Sequence, residues 1–299
     1  MRKPDFFIVG AAKSGTTSFQ EYLKQHPRIF MPPGGEPNHF ARDLDLALHI
    51  TNRDERKYLS LFSGAGAATC LGEKSVWYLY SKTAATEIST FNEQAKIIII
   101  LRNPVDMVYS LHGQFLYTSN EDILSFQEAL AVEDERRQGK RIPSSCHFPQ
   151  GLLYSQVVDF APQVQRYFDV FGRDKVCVLL FEDLVGKTPE VYRQVLEFLG
   201  VDPGYQPDFE VFNSAKPVRN LGLRRMIREN RPLAFFVRQL PPAFRHRIGN
   251  ILGKMPGQTI PRSKKLDPGV RHELQSHFLP NVEQLSEVLG RDVTPWCKH

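Results

Sequence analysis

Near the N-terminus the eight residues Gly10-Ala11-Ala12-Lys13-Ser14-Gly15-Thr16-Thr17 combine small side chains, one lysine and three hydroxyls. Small residues let a backbone approach an anion closely, and the first N–H groups of a following helix point at it. The stretch therefore reads as a phosphate cradle. The position of its lysine tells which phosphate chemistry it suits. In the nucleoside-triphosphatase pattern GxxxxGK[ST] the lysine follows the second glycine. Here that position is Thr16, and the lysine sits inside the loop as Lys13. A second candidate is Arg102, which ends the most apolar run of the chain, Lys96 to Leu101. A magnesium-holding Asp is expected there in a nucleotide-hydrolysing or kinase fold. An arginine suits an anionic ligand and is a poor place for Mg²⁺.

These residues need elements to position them. Phe6 to Val9 is a short apolar run that stops at Gly10, as a buried strand does, and residues 16–25 carry Phe19, Tyr22 and Leu23 at helical spacing before His26-Pro27 ends the pattern. Lys96 to Leu101 is apolar and mostly β-branched, as expected at the centre of a parallel sheet, and residues 105–116 after it read as a helix. A third strand is expected over 176–181, between a helix ending near Phe171-Gly172 and another over about 189–199 that Gly200 terminates. Leu274 to Leu289 is an amphipathic helix with Gly290 as its stop. The expectation is one α/β domain over residues 1–299, a central, mostly parallel sheet flanked by helices in a P-loop-like nucleotide-binding fold. It divides into a core at 5–200, a basic loop and helical region at 205–265, and a C-terminal helix at 268–291.

The formal net charge of +5 hides an asymmetry. Between Lys216 and Lys265 there are 13 Lys and Arg against the single acid Glu229, a net +12 that leaves −7 for the remainder. Such a segment reads as a solvated basic face, or as a surface for an anionic ligand, an acidic glycan or a membrane. Residues 231–254, with Pro241-Pro242 between apolar and basic stretches, suit a peripheral membrane contact or a cover over a cleft. No nucleic-acid-binding module accompanies the charge, so no nucleic-acid partner is expected. The chain has no apolar run of about 18 residues, and its first residues do not read as a signal peptide. Cys70, Cys146, Cys177 and Cys297 form no CxxC pair, so neither zinc nor a disulfide framework is expected, and a cytoplasmic location is.

Three stretches together resemble the sulfotransferases that depend on 3′-phosphoadenosine-5′-phosphosulfate (PAPS). Ala12-Lys13-Ser14-Gly15-Thr16-Thr17 is similar to that family's 5′-phosphosulfate loop. Leu101 to Ser110 resembles its 3′-phosphate motif, an arginine at a strand end followed eight residues later by a serine. Phe181-Glu182-Asp183-Leu184 resembles the Glu-Asp-Leu after a later strand, and Glu73-Lys74-Ser75 an element of the bacterial and glycan-modifying branches. The resemblance implies transfer of a sulfuryl group from PAPS, with 3′-phosphoadenosine-5′-phosphate (PAP) as product and no metal.

The implied roles follow the chemistry of that reaction. Negative charge builds on the oxygen bridging sulfur and the 5′-phosphate, so a fixed cation aimed there, Lys13, favours the transition state. Ser14, Gly15, Thr16 and Thr17 offer donors to the 5′-phosphate. Arg102 and Ser110 suit the 3′-phosphate, with Arg219 reaching it from the basic segment. For the general base there are two candidates, Glu36 and His39. Glu36-Pro37 matches the Glu-Pro of the family's Lys-Glu-Pro-x-Phe-Phe, while Gly35 and His39 depart from it. Lys74 is expected either to contact the sulfuryl group or the acceptor, or to form a surface pair with Glu73. Tyr154 lies either near the adenine or in the core. The acceptor, a small molecule, a lipid or a glycan, is not legible. Two alternative readings stay open: a P-loop small-molecule kinase, and a non-catalytic binder of 3′-phosphoadenosine nucleotides.

Overall fold

Alternate residues of the apolar runs must face opposite sides of a sheet, and here both sides are covered. In the computed structural model, which describes residues 2–47, 51, 53–209, 218–219, 259–260 and 266–298, Phe7, Val9, Ile97, Ile99 and Leu101 enter one hydrophobic cluster. Phe6, Ile8, Ile98 and Ile100 enter the other. These residues belong to β1 (Phe6–Gly10) and β4 (Lys96–Leu101), which pair in parallel at the middle of a five-stranded sheet. The other strands are β2 (Ile29–Phe30), β3 (Cys70–Lys74) and β5 (Val176–Leu180), in the order β2-β3-β1-β4-β5, and every pairing is parallel.

Helices join the strands. α1 (Thr16–Lys24) follows β1; α2 (Glu55–Ser60) precedes β3, and α3 (Ala84–Phe91) follows it. α4 (Pro104–Thr118) follows β4, and the short helices α5 (Phe126–Ala131), α6 (Glu133–Arg137) and α7 (Tyr154–Val157) lead into α8 (Phe160–Phe171) and β5. After β5 come α9 (Phe181–Gly186) and α10 (Thr188–Leu199), the latter closed by Gly200. α11 (Pro268–Leu289) packs on α8 and α4. A separate antiparallel pair, β6 (Val218–Arg219) with β7 (Thr259–Ile260), is described in its backbone only.

The expected strands and helices of the α/β core are present, and two strands of the sheet, β2 and β3, are additional. β3 carries Gly72, Glu73 and Lys74 in only five residues, so it lacks the apolar signature of its neighbours. Gly72 has a packing reason: a Cβ there would lie 2.1 Å from the Phe6 ring on the adjoining strand. The chain first builds β2 and β3 on one side of β1, then crosses to add β4 and β5 on the other. Ligands in open α/β sheets bind outside the carboxyl ends of the strands at such a reversal. The loops after β1, β3, β4 and β5 meet there.

Candidate active site

The loop after β1 is curled by two left-handed residues, Lys13 (φ 61°) and Gly15 (φ 81°). A side chain at Gly15 would also run into Phe181, whose ring lies 3.0 Å from the position of the missing Cβ. Gly15 opens α1 with no side-chain cap among the described residues, and the first turn contains no acid. The leading N–H groups and the positive end of the helix are thus left to serve an anion. Ser14 and Thr16 are buried in the loop, while Lys13, Gly15 and Thr17 are half-buried.

Arg102, at the end of β4, turns onto this same loop. Its Nη1 donates to the Lys13 carbonyl at 3.0 Å, and its guanidinium stacks 4.7 Å from the centroid of Phe181, the first residue after β5. Burial pushes the pKa of the guanidinium down, and the charges of Asp106 and Glu182 oppose that effect. Ser110, two turns into α4, is half-buried. The cradle and the strand-end arginine, 89 residues apart in sequence, therefore form one cationic surface.

The loop between β2 and α2 brings the acid, and the end of β3 holds it. Glu36 Oε1 accepts from Lys74 Nζ at 2.9 Å, and its Oε2 accepts from the Val76 backbone N–H at 3.2 Å. Lys74 Nζ also lies 3.4 Å from Thr17 Oγ1, so one ammonium joins the phosphate cradle to the Glu36 carboxylate. Lys74 is 8% exposed and Glu36 23%, which leaves the acid open on one side.

Glu73 does not form a surface pair with Lys74. As successive strand residues they face opposite sides of the sheet, and Glu73 is buried, accepting hydrogen bonds from Ser75 (2.6 Å), Tyr58 (2.9 Å) and Tyr78 (3.1 Å). His39 is also buried. Its ring stacks on Tyr58 at 4.3 Å, and its backbone N–H donates to the Tyr78 hydroxyl at 2.7 Å. Arg53 fixes the same loop by donating to the carbonyls of Asn38, His39 and Ala41. Tyr154 is a core residue: it is fully buried and donates to Glu121 at 2.9 Å. The Arg219 side chain and the basic segment, including residues 231–254, lie outside the described residues.

Three contributors are not visible in sequence. In sequence Phe181 stands out only as part of a motif, yet it lies against both Gly15 and Arg102. Tyr58 and Tyr78 converge on Glu73 from separate stretches with no local pattern; the one hint in sequence is an acid that directly follows the short run Cys70-Leu71-Gly72. Among the described residues no helix is long and apolar enough to cross a membrane.

Residues 3–210 match the sulfotransferase domain model, and the chain belongs to the sulfotransferase family, a family of enzymes. The crystal structure of a sulfotransferase from Alicyclobacillus acidocaldarius is similar over 99% of both chains, at 31% identity and a TM-score of 0.74. The human heparan sulfate glucosamine 3-O-sulfotransferase 3B1 is 29% identical over 289 residues, which is 97% of this chain and 64% of that protein. Human carbohydrate sulfotransferase 15 is 23% identical over 248 residues, 67% of this chain and 44% of that protein. The chain thus spans less than two thirds of the length of either human relative.

Proposed function

We propose that the protein moves the sulfuryl group of PAPS in line, without a metal, onto a hydroxyl or amine of an acceptor, and that this acceptor is a glycan. The observation that carries the reading is the convergence of Lys13, Arg102, Lys74 and Glu36 at the carboxyl ends of β1, β4 and β3. The names of the human relatives, which specify carbohydrate and heparan sulfate, favour a glycan over a lipid or small molecule.

PAPS supplies the sulfuryl group and a leaving phosphate whose charge grows during transfer. Lys13 and the uncapped start of α1 meet that growing charge, an interaction stronger in the transition state than before it. Arg102 and Ser110, with Arg219 from the basic segment, hold the 3′-phosphate. Glu36 takes the acceptor proton, a contribution of about 10²–10⁴-fold. Lys74 and the Val76 N–H keep that carboxylate aimed. His39 is the weaker candidate for the base because its ring is packed against Tyr58 and Phe40.

Thermal stabilisation by PAP, ADP and ATP-Mg²⁺ tests the donor, and labelled transfer from PAPS to a panel of glycan, lipid and small-molecule acceptors tests the reaction. PAP is expected to stabilise most. A preference for ATP-Mg²⁺ selects the kinase reading, and PAP binding without transfer to any acceptor selects the non-catalytic binder. Lys13→Ala is expected to abolish turnover, and activity within a few-fold of wild type removes it from the mechanism.

A further inference from the structure

A carboxylate that is 1% exposed with no cation bonded to it among the described residues is costly to keep, unless the groups around it are arranged for a purpose. Glu73 is such a group. Three hydroxyls donate to it, and two of them also accept from the loop that follows Glu36. Ser75 Oγ accepts the Asn38 N–H at 3.0 Å, and the Tyr78 hydroxyl accepts the His39 N–H at 2.7 Å. A hydroxyl owns one proton. With their lone pairs committed to the Asn38 and His39 amides, Ser75 and Tyr78 point their protons at Glu73. The chain of bonds therefore has a direction, running from the loop amides through the hydroxyls to an acceptor-only carboxylate.

We propose that Glu73 is a positioning residue for the general base, acting as the terminus of two hydroxyl relays that hold residues 38 and 39 and so fix the approach of Glu36 to the acceptor. This inference rests on the reading of Glu36 as the base. Burial pushes the Glu73 carboxyl up to about 7; the hydroxyls of Ser75, Tyr58 and Tyr78 draw it down, and the charge of Glu36 adds to the rise. The titratable groups around it are Tyr58 on α2, Tyr78 in the loop after β3, Tyr167 on α8 and Glu36 in the loop before α2; Lys74, the next residue of β3, bonds to Glu36. The relay thus completes itself as pH rises through neutrality, when the carboxylate becomes able to accept all three protons.

Glu73→Gln keeps the shape and replaces one acceptor oxygen by a donor. In the full chain, hydrogen exchange at the Asn38 and His39 amides is expected to accelerate about tenfold or more, with β4 amides and PAP affinity unchanged. With PAPS as donor and a desulfated heparan oligosaccharide as acceptor, kcat is expected to fall roughly 10- to 100-fold, the scale on which a displaced catalytic group acts. The KM for PAPS is expected to stay constant; wild type is expected to gain rate as pH rises through about 7, and Glu73→Gln to lose that rise. Unchanged exchange at 38 and 39, or a loss of PAP affinity that matches the loss of rate, overturns the proposal. Ser75→Ala and Tyr78→Phe each cut one relay and leave Glu73 in place. Each is expected to release its own amide, and they decide the matter if Glu73→Gln does not fold. If Glu36→Gln turns over at the wild-type rate, the base assignment falls, whereas amide exchange still judges whether Glu73 holds the loop.

Discussion

Two buried glutamates in this protein have the same side chain and nearly the same burial, and their surroundings drive them in opposite directions. Among the described residues Glu73 is held by hydroxyls alone, and burial pushes its carboxyl up to about 7. Glu121 also suffers burial, but Arg136 donates to it at 2.7 Å, and with the Asp122 and Ile123 amides and Tyr154 it is carried below the ordinary carboxylate range. Arg136 also donates to the carbonyls of Ala129, Leu152 and Arg141, so this ion pair ties α5, α6 and the chain before α7 together. A buried acid given a cation serves as a staple, whereas one given only hydroxyls remains able to change charge. The second kind sits beside the candidate active site.

The largest expected effect comes from breaking the staple. Arg136→Met leaves the Glu121 charge buried without its partner, and both side chains are 0% exposed. The expected loss is about 3–5 kcal/mol of stability, read as a melting temperature lower by roughly 10 °C. PAP affinity of the folded fraction should not change. A loss under about 1 kcal/mol would mean that Glu121 is neutralised or hydrated, and the contrast between the two acids would disappear.

The second test uses pH, because the two acids contribute with opposite sign. The folded pKa of Glu73 lies above its ordinary value of 4.5, so the folded state holds a proton that the unfolded chain has released. Its contribution is complete below about pH 4.5 and is lost as pH rises to about 7, a decline of about 3 kcal/mol. Glu121 has a lowered pKa, so its contribution is present above pH 4.5 and is lost on acidification. Denaturant titrations at pH 5 and pH 8 should show a decline in wild type that Glu73→Gln reduces and Glu121→Gln does not. An identical pH slope in wild type and Glu73→Gln would remove the raised pKa.

The same contrast bears on what sequence could reveal. Loops contiguous in the chain were legible: Gly10 to Thr17 has its strand before it and its helix after it, and β4 announces itself by an unbroken apolar run ending in Arg102. The acceptor side was only partly legible, because it is assembled across the chain. Glu36 and Lys74 meet over 38 residues, and Tyr58, Ser75 and Tyr78 reach Glu73 from two segments. β3 is not legible in sequence because Gly72, required by the Phe6 ring, and two charges replace the usual apolar pattern. Sequence alone does not decide between adenine and core for Tyr154, because its partner Glu121 lies 33 residues away.

The smallest effect compares single hydroxyls. Tyr58→Phe removes one donor from Glu73, and Tyr154→Phe removes one from Glu121. A hydrogen bond to a charged group contributes roughly 1.5–3 kcal/mol, and one to a neutral group about 1 kcal/mol. Glu121 stays ionised from pH 5 to pH 8, so Tyr154→Phe is expected to cost the same at both. Glu73 is neutral at pH 5 and ionised at pH 8, so Tyr58→Phe is expected to cost about 1 kcal/mol more at the higher pH. Equal costs for Tyr58→Phe at the two values would show that Glu73 does not change charge across neutrality. The relay to Asn38 and His39 would then be a fixed scaffold, and the rise of rate through pH 7 would need another titrating group.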